Sequence, residues 1–174
     1  LLFTPVYHAF ARTIAAAGRQ VVESPLVNRE GRYEMDLDAA SALIDAKTRM
    51  VVLCSPHNPG GRVWSAQELR ALAEFCARHD LLLISDEIHH DLTMPGQVHH
   101  PMMRIEGVAD RLVILTATTK TFNIAGAHIG NVIIPDPDLR APFAARMAGL
   151  GISPNAFGMQ MATAACSPEG AAWV

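Results

Sequence analysis

The amino-acid sequence predicts an α/β fold, a mainly parallel sheet sandwiched by helices, and two observations predict it. Apolar, β-prone runs recur along the chain, and most are separated by stretches of helical periodicity. Those runs are near-continuous in apolar residues rather than alternating, which suits strands covered on both faces. No internal repeat, low-complexity tract or linker divides the 174 residues, so they read as one domain or part of one.

In chain order the strand candidates are Leu1 to Phe3, Val21 to Val22, Met50 to Leu53, Leu81 to Ile84, Leu112 to Leu115 and Val132 to Ile134. The helices between them carry start signals. Asp36 stands ahead of Leu37, Ala40, Leu43 and Ile44. Ser65 and Glu68 form a capping box ahead of Leu69, Leu72, Ala73 and Phe75. Asp136 with Pro137 opens a third helix and Ser153 with Pro154 a fourth. Leu1-Leu2-Phe3 starts within an apolar run, and Ala171 to Val174 stops as another segment begins, so the chain reads as a fragment of a longer one.

Composition narrows the function. Half of the residues are apolar and 18% are charged, as in a folded globular protein, and the formal net charge is -3. With no basic footprint, neither nucleic acid nor an anionic membrane is an expected partner; a small neutral or zwitterionic ligand fits better. No apolar run reaches the roughly 20 residues that span a bilayer, and no signal-peptide pattern is visible. The three cysteines, Cys54, Cys76 and Cys166, form no CxxC pair and read as buried apolar fillers in a reducing compartment, with the cytoplasm as the default location.

Ligands of open α/β sheets sit outside the carboxyl ends of the strands. Four strand ends hold unusual residues there: Thr4-Pro5-Val6-Tyr7, Ser55-Pro56-His57-Asn58-Pro59-Gly60-Gly61, Asp86-Glu87-Ile88-His89 and Thr116-Ala117-Thr118-Thr119-Lys120. A tyrosine, an asparagine, an aspartate and a lysine are therefore expected on one edge. The chain has two lysines, Lys47 and Lys120, against twelve arginines. A guanidinium cannot replace an amine that must lose its proton and condense with an aldehyde, so Lys120 is a candidate nucleophile; a solvated loop lysine is the plain alternative. Asp86 follows a buried strand, where an unpaired charge is costly, so something positive should meet it; capping the next element or pairing with an arginine would also satisfy it.

Two other readings have some support in the sequence. Leu81 to His89 mimics the strand and DExH box of a nucleoside-triphosphate-driven helicase, but no GxxxxGK[ST] phosphate loop occurs in the chain. The pairs His89-His90 and His99-His100, near Asp86, Glu87 and Asp91, lack HxxxH or HExxH spacing. They read as solvated loop histidines rather than as metal ligands, His89 excepted because it lies at the strand end.

The runs SPHNPGGRVW (Ser55 to Trp64), ISDEIHHD (Ile84 to Asp91) and TATTKTFNIAG (Thr116 to Gly126) together closely resemble the class I/II aminotransferase family of fold-type I pyridoxal-phosphate (PLP) enzymes, and within it the cystathionine β-lyase, or carbon-sulfur lyase, branch. The resemblance implies that Lys120 carries pyridoxal 5'-phosphate in Schiff-base linkage. It also implies that Asp86 meets the pyridine nitrogen, Asn58 donates to the phenolic oxygen and Tyr7 stacks on the ring. His89 takes the place of a tyrosine that bonds the phenolic oxygen in many aminotransferases, and Thr119 matches a hydroxyl near the phosphate. His128 stands where many aminotransferases have a phosphate-binding arginine. The chain would be the central part of the large PLP-binding domain, with the glycine-containing phosphate loop before Leu1 and the small domain and carboxylate-binding arginine after Val174. The expected whole is a homodimer acting on a small amino acid. His89 and His128 tilt the expectation towards a β-lyase releasing thiol, pyruvate and ammonia, with transamination as the alternative.

Overall fold

The computed structural model describes residues 1–174. In chain order its regular elements are β1 (Leu2–Thr4), α1 (Ala9–Ala16), β2 (Glu23–Pro25), β3 (Val27–Arg29), β4 (Arg32–Glu34), α2 (Leu37–Ala42), β5 (Met50–Cys54), α3 (Ala66–Arg78), β6 (Leu82–Asp86), β7 (Leu112–Thr116), α4 (Thr118–Thr121), β8 (Asn131–Ile133), α5 (Pro137–Gly149), α6 (Ala156–Ala165) and α7 (Pro168–Trp173). Six strands form one sheet in the order β2-β1-β5-β6-β7-β8, and β3 with β4 makes a separate antiparallel hairpin. Every neighbouring pair in the large sheet is parallel except β7 with β8. The fold is therefore the mainly parallel α/β arrangement expected. The chain leaves β1 for β2 on one side and returns to β5 on the other, which puts a topological switch between β1 and β5.

Side-chain period explains where the core lies. Val51, Leu83 and Leu112 occupy one row across β5, β6 and β7, and all three are buried. Their apolar face meets Leu69, Leu72, Ala73, Phe75 and Cys76, the buried stripe of α3 at i, i+3, i+4, i+6 and i+7. On the opposite face, Ile84 and Val113 stay half-buried. α3 begins where the capping box predicts. The Glu68 NH donates to Ser65 Oγ (3.2 Å), and the Ser65 NH donates back to Glu68 Oε2 (2.8 Å). Asp36 and Asp136 likewise cap α2 and α5.

Several expectations need correction. The second strand is Glu23–Pro25 rather than Val21 to Val22, because pairing with β1 selects it: Leu2 opposes Glu23 and Phe3 opposes Ser24. The last strand is Asn131–Ile133 and runs antiparallel to β7. The fourth anticipated helix starts after Asn155, not at Ser153-Pro154, since Asn155 Oδ1 accepts the Gly158 NH at 2.7 Å while its amide donates to the Ala127 carbonyl at 2.8 Å. Cys54 and Cys76 are buried as expected, but Cys166 is exposed. No helix is long and apolar enough to cross a membrane.

Candidate active site at the strand ends

Asp86 is the last residue of β6, flanked by β5 and β7, and its backbone is stitched to both. The Ser55 NH donates to the Asp86 carbonyl (2.9 Å), and the Glu87 NH donates to the Leu115 carbonyl (2.8 Å). The carboxylate is 6% exposed and receives one hydrogen bond, from the Ile88 NH at 3.3 Å. Burial pushes its pKa up to about 6, against the pull of the Ile88 NH and of the Lys120 ammonium. No arginine or lysine forms an ion pair with it, and a buried acid left this way is held at an energetic penalty.

Lys120 sits in α4, a single turn that begins directly after β7. Its side chain is exposed, and it is near enough for its charge to act on both Asp86 and His89. His89 lies half-buried in the turn after β6. Burial, then the Lys120 ammonium, lowers its pKa, and the Pro56 carbonyl works against that shift. The imidazole is therefore held towards its neutral form. Thr119 is half-buried beside Lys120; its backbone carbonyl accepts the Ile124 NH at 2.9 Å.

Asn58 lies in the turn after β5, half-buried, with its NH directed at Cys54 Sγ (3.3 Å). That turn is shaped by close packing. A Cβ on Gly60 would come within 2.8 Å of the His57 ring and 2.9 Å of the Tyr33 ring, so only glycine fits. Arg62 fastens the far side of the turn: Nε donates to the Tyr33 carbonyl (2.7 Å), Nη2 pairs with Glu68 Oε1, and the guanidinium lies 4.7 Å from the Trp64 ring centroid. Tyr7, 38% exposed, stands on the loop after β1, edge-on to Phe10 at 5.8 Å, beside an open cleft of about 520 Å³ that Thr4, Pro5, Val6 and His8 also line.

The structure thus places Asp86 and Lys120 at the ends of the adjacent strands β6 and β7, with the Lys120 charge within reach of Asp86 and His89, and sets Asn58 and Tyr7 on the two loops at the β1/β5 switch. Sequence reasoning missed what joins those loops. His57 is 4% exposed, and its Nε2–H donates to the Pro5 carbonyl at 2.8 Å. Burial lowers its pKa, so the ring stays a neutral donor. Its position one residue before Asn58 was the only available signal. Also corrected is the reading of His90 and His99 as solvated: His99 is 9% exposed and pairs with buried Glu87 at 2.9 Å. No group of three His, Cys, Asp or Glu side chains is placed to hold a metal ion. His128 is exposed, in a left-handed backbone conformation at φ 47°.

The residues present fit pyridoxal phosphate. A buried carboxylate with a raised pKa and no cation against it suits a protonated ring nitrogen, and a lysine within its electrostatic reach suits an aldehyde carbon. Comparison with known proteins agrees. The profile of the family "Aminotransferase class I and II" matches residues 1–172. A cystathionine beta-lyase of Bacillus subtilis is 39% identical over 173 residues, 98% of this chain and 44% of the relative. A probable N-succinyldiaminopimelate aminotransferase of Mycobacterium tuberculosis is 35% identical over 130 residues, 75% of this chain and 33% of the relative. Among solved structures, the PLP-bound C-S lyase of Staphylococcus hominis superposes with a TM-score of 0.91 at 32% identity, covering 99% of this chain and 43% of that one. The chain thus spans less than half the length of these relatives. It belongs to the class I and II aminotransferase family, whose cofactor is pyridoxal 5'-phosphate.

Proposed function

We propose that this chain is the central part of the large domain of a PLP-dependent carbon-sulfur β-lyase, a cytoplasmic homodimer acting on cystathionine or related cysteine S-conjugates. The observation that carries the reading is a buried Asp86 without an ion-pair partner at the end of β6, next to the strand end that bears Lys120. When bound, the cofactor supplies an electron sink for negative charge developing at the substrate Cα. Asp86 would hold a proton at the ring nitrogen, the positive partner that its buried carboxylate lacks. Lys120 supplies the amine that takes the Cα proton. Asn58 and the neutral His89 would hold the phenolic oxygen, Tyr7 would stack on the ring, and the Thr119 hydroxyl would serve the phosphate. The thiolate then leaves Cβ, and water completes the release of pyruvate and ammonia.

Support for the lyase comes from the longer and higher match to the Bacillus subtilis enzyme, and from His89 and His128 standing where transferases more often have tyrosine and arginine. The mycobacterial aminotransferase supports the second reading, transamination, which would use the same visible residues. Supplying cystathionine to the full-length protein separates them. Stoichiometric pyruvate and thiol are expected; amino-group transfer to a keto acid without pyruvate would sink the lyase reading.

A further inference from the structure

We infer that Asp91 is a positioning residue for Lys120, acting through Thr121; the inference rests on the reading that Lys120 carries the cofactor. α4 is one turn long, and a single turn has little stability of its own because its backbone order is set by so few hydrogen bonds. Something outside the helix must fix the direction in which Lys120 leaves it. Thr121, the next residue, is 4% exposed, and its Oγ1 donates to Asp91 Oδ2 at 3.0 Å. That bond ties α4 to the segment following β6, thirty residues earlier in the chain.

Asp91 is itself held. His90 Nε2 lies 3.3 Å from the same Asp91 oxygen, and His90 Nδ1 donates to the Glu87 carbonyl at 2.7 Å. Glu87 is the fixed point. It is 3% exposed, and its carboxylate accepts from Ser85 Oγ, the Met102 NH and His99 Nε2, each at 2.9 Å. A path therefore runs along the chain from Glu87 to Asp91, braced by the His90 bond to the Glu87 carbonyl, and across the Asp91–Thr121 hydrogen bond to α4. Asp86 lies at one end of this path and Lys120 at the other. Glu87, His90, His99 and Asp91 are thus engaged in setting the separation between the two poles of the site.

The test uses the full-length protein loaded with PLP. Its readouts are the pH midpoint of the visible absorption band, the rate of cofactor loss on dilution, and the melting temperature. Thr121→Val deletes the donor without changing shape, Thr121→Ser keeps it, and Asp91→Ala deletes the acceptor. Thr121→Val and Asp91→Ala should each move the pH midpoint by about half a unit and speed cofactor loss about tenfold. The double variant should be no worse than either single one, and Thr121→Ser should match the parent. If Asp91→Ala does not fold, Asp91→Asn, which keeps an acceptor oxygen, should hold the parental midpoint while Thr121→Val still moves it. Variants that lower only the melting temperature, leaving midpoint and loss rate unchanged, would overturn the inference. Lys120→Ala measured alongside distinguishes the failures: a band that survives it overturns the cofactor reading, whereas its loss with an unaffected Thr121→Val overturns the positioning role alone.

Discussion

Asp86 shows how one buried group makes stability depend on pH. Its pKa in the folded chain is raised to about 6 from an ordinary 3.8, so only well below pH 3.8 is the carboxyl neutral in folded and unfolded states alike. As pH climbs from about 4 to about 6, the unfolded chain ionises this carboxyl while the folded chain keeps it protonated, so cofactor-free stability falls by about 3 kcal/mol over that window and is flat above it. Asp86→Asn removes the titration. The apo variant should therefore gain on the apo parent between about pH 4 and pH 6 and hold that gain at higher pH, read as a difference in melting temperature that grows across that window; a difference that stays constant across it contradicts this. Lys120 and Asp86 stand out in the sequence as candidates because each is chemically conspicuous alone, one a rare amine and the other an acid at a buried strand end. His57 to Pro5 and Thr121 to Asp91 do not, since those contacts join residues 52 and 30 positions apart, and neither partner looks unusual by itself.

Local chemistry decides which elements could be read. The start of α3 was legible because its capping box needs only Ser65 and Glu68. The structure adds that Glu68 also pairs with Arg62, whose side chain is 8% exposed. Burial would raise the Glu68 pKa, but hydrogen bonds from Ser65 and Arg62 outweigh it and hold the carboxyl below its usual range. The two cap residues should therefore differ on mutation. Ser65→Ala removes a cap, for about 1 kcal/mol, whereas Glu68→Ala also strands a buried guanidinium, for about 3 kcal/mol. Urea denaturation of the full-length protein measures both, and equal losses would contradict the shared role. β2 and α6 were misread for a complementary reason. Pairing with β1 and the double hydrogen bonding of Asn155 select their positions, and both depend on residues distant in sequence.

At the scale of the molecule, the mainly parallel order of strands was legible from near-continuous apolar runs, while the antiparallel turn of β8 carried no such signature. The sheet gathers β1, β5, β6 and β7 side by side, so the residues following them meet at one edge, which is why four separate motifs can form one site. That convergence is the central claim, and borohydride reduction of the full-length protein mixed with PLP tests it most directly, with mass spectrometry locating the fixed cofactor. The 174-residue stretch alone should label more weakly, because the proposed phosphate loop and partner subunit are not part of it. In the full-length protein the label should fall on Lys120 and vanish in Lys120→Ala; a label on Lys47 or on any other lysine, with Lys120 unmodified, would contradict the account.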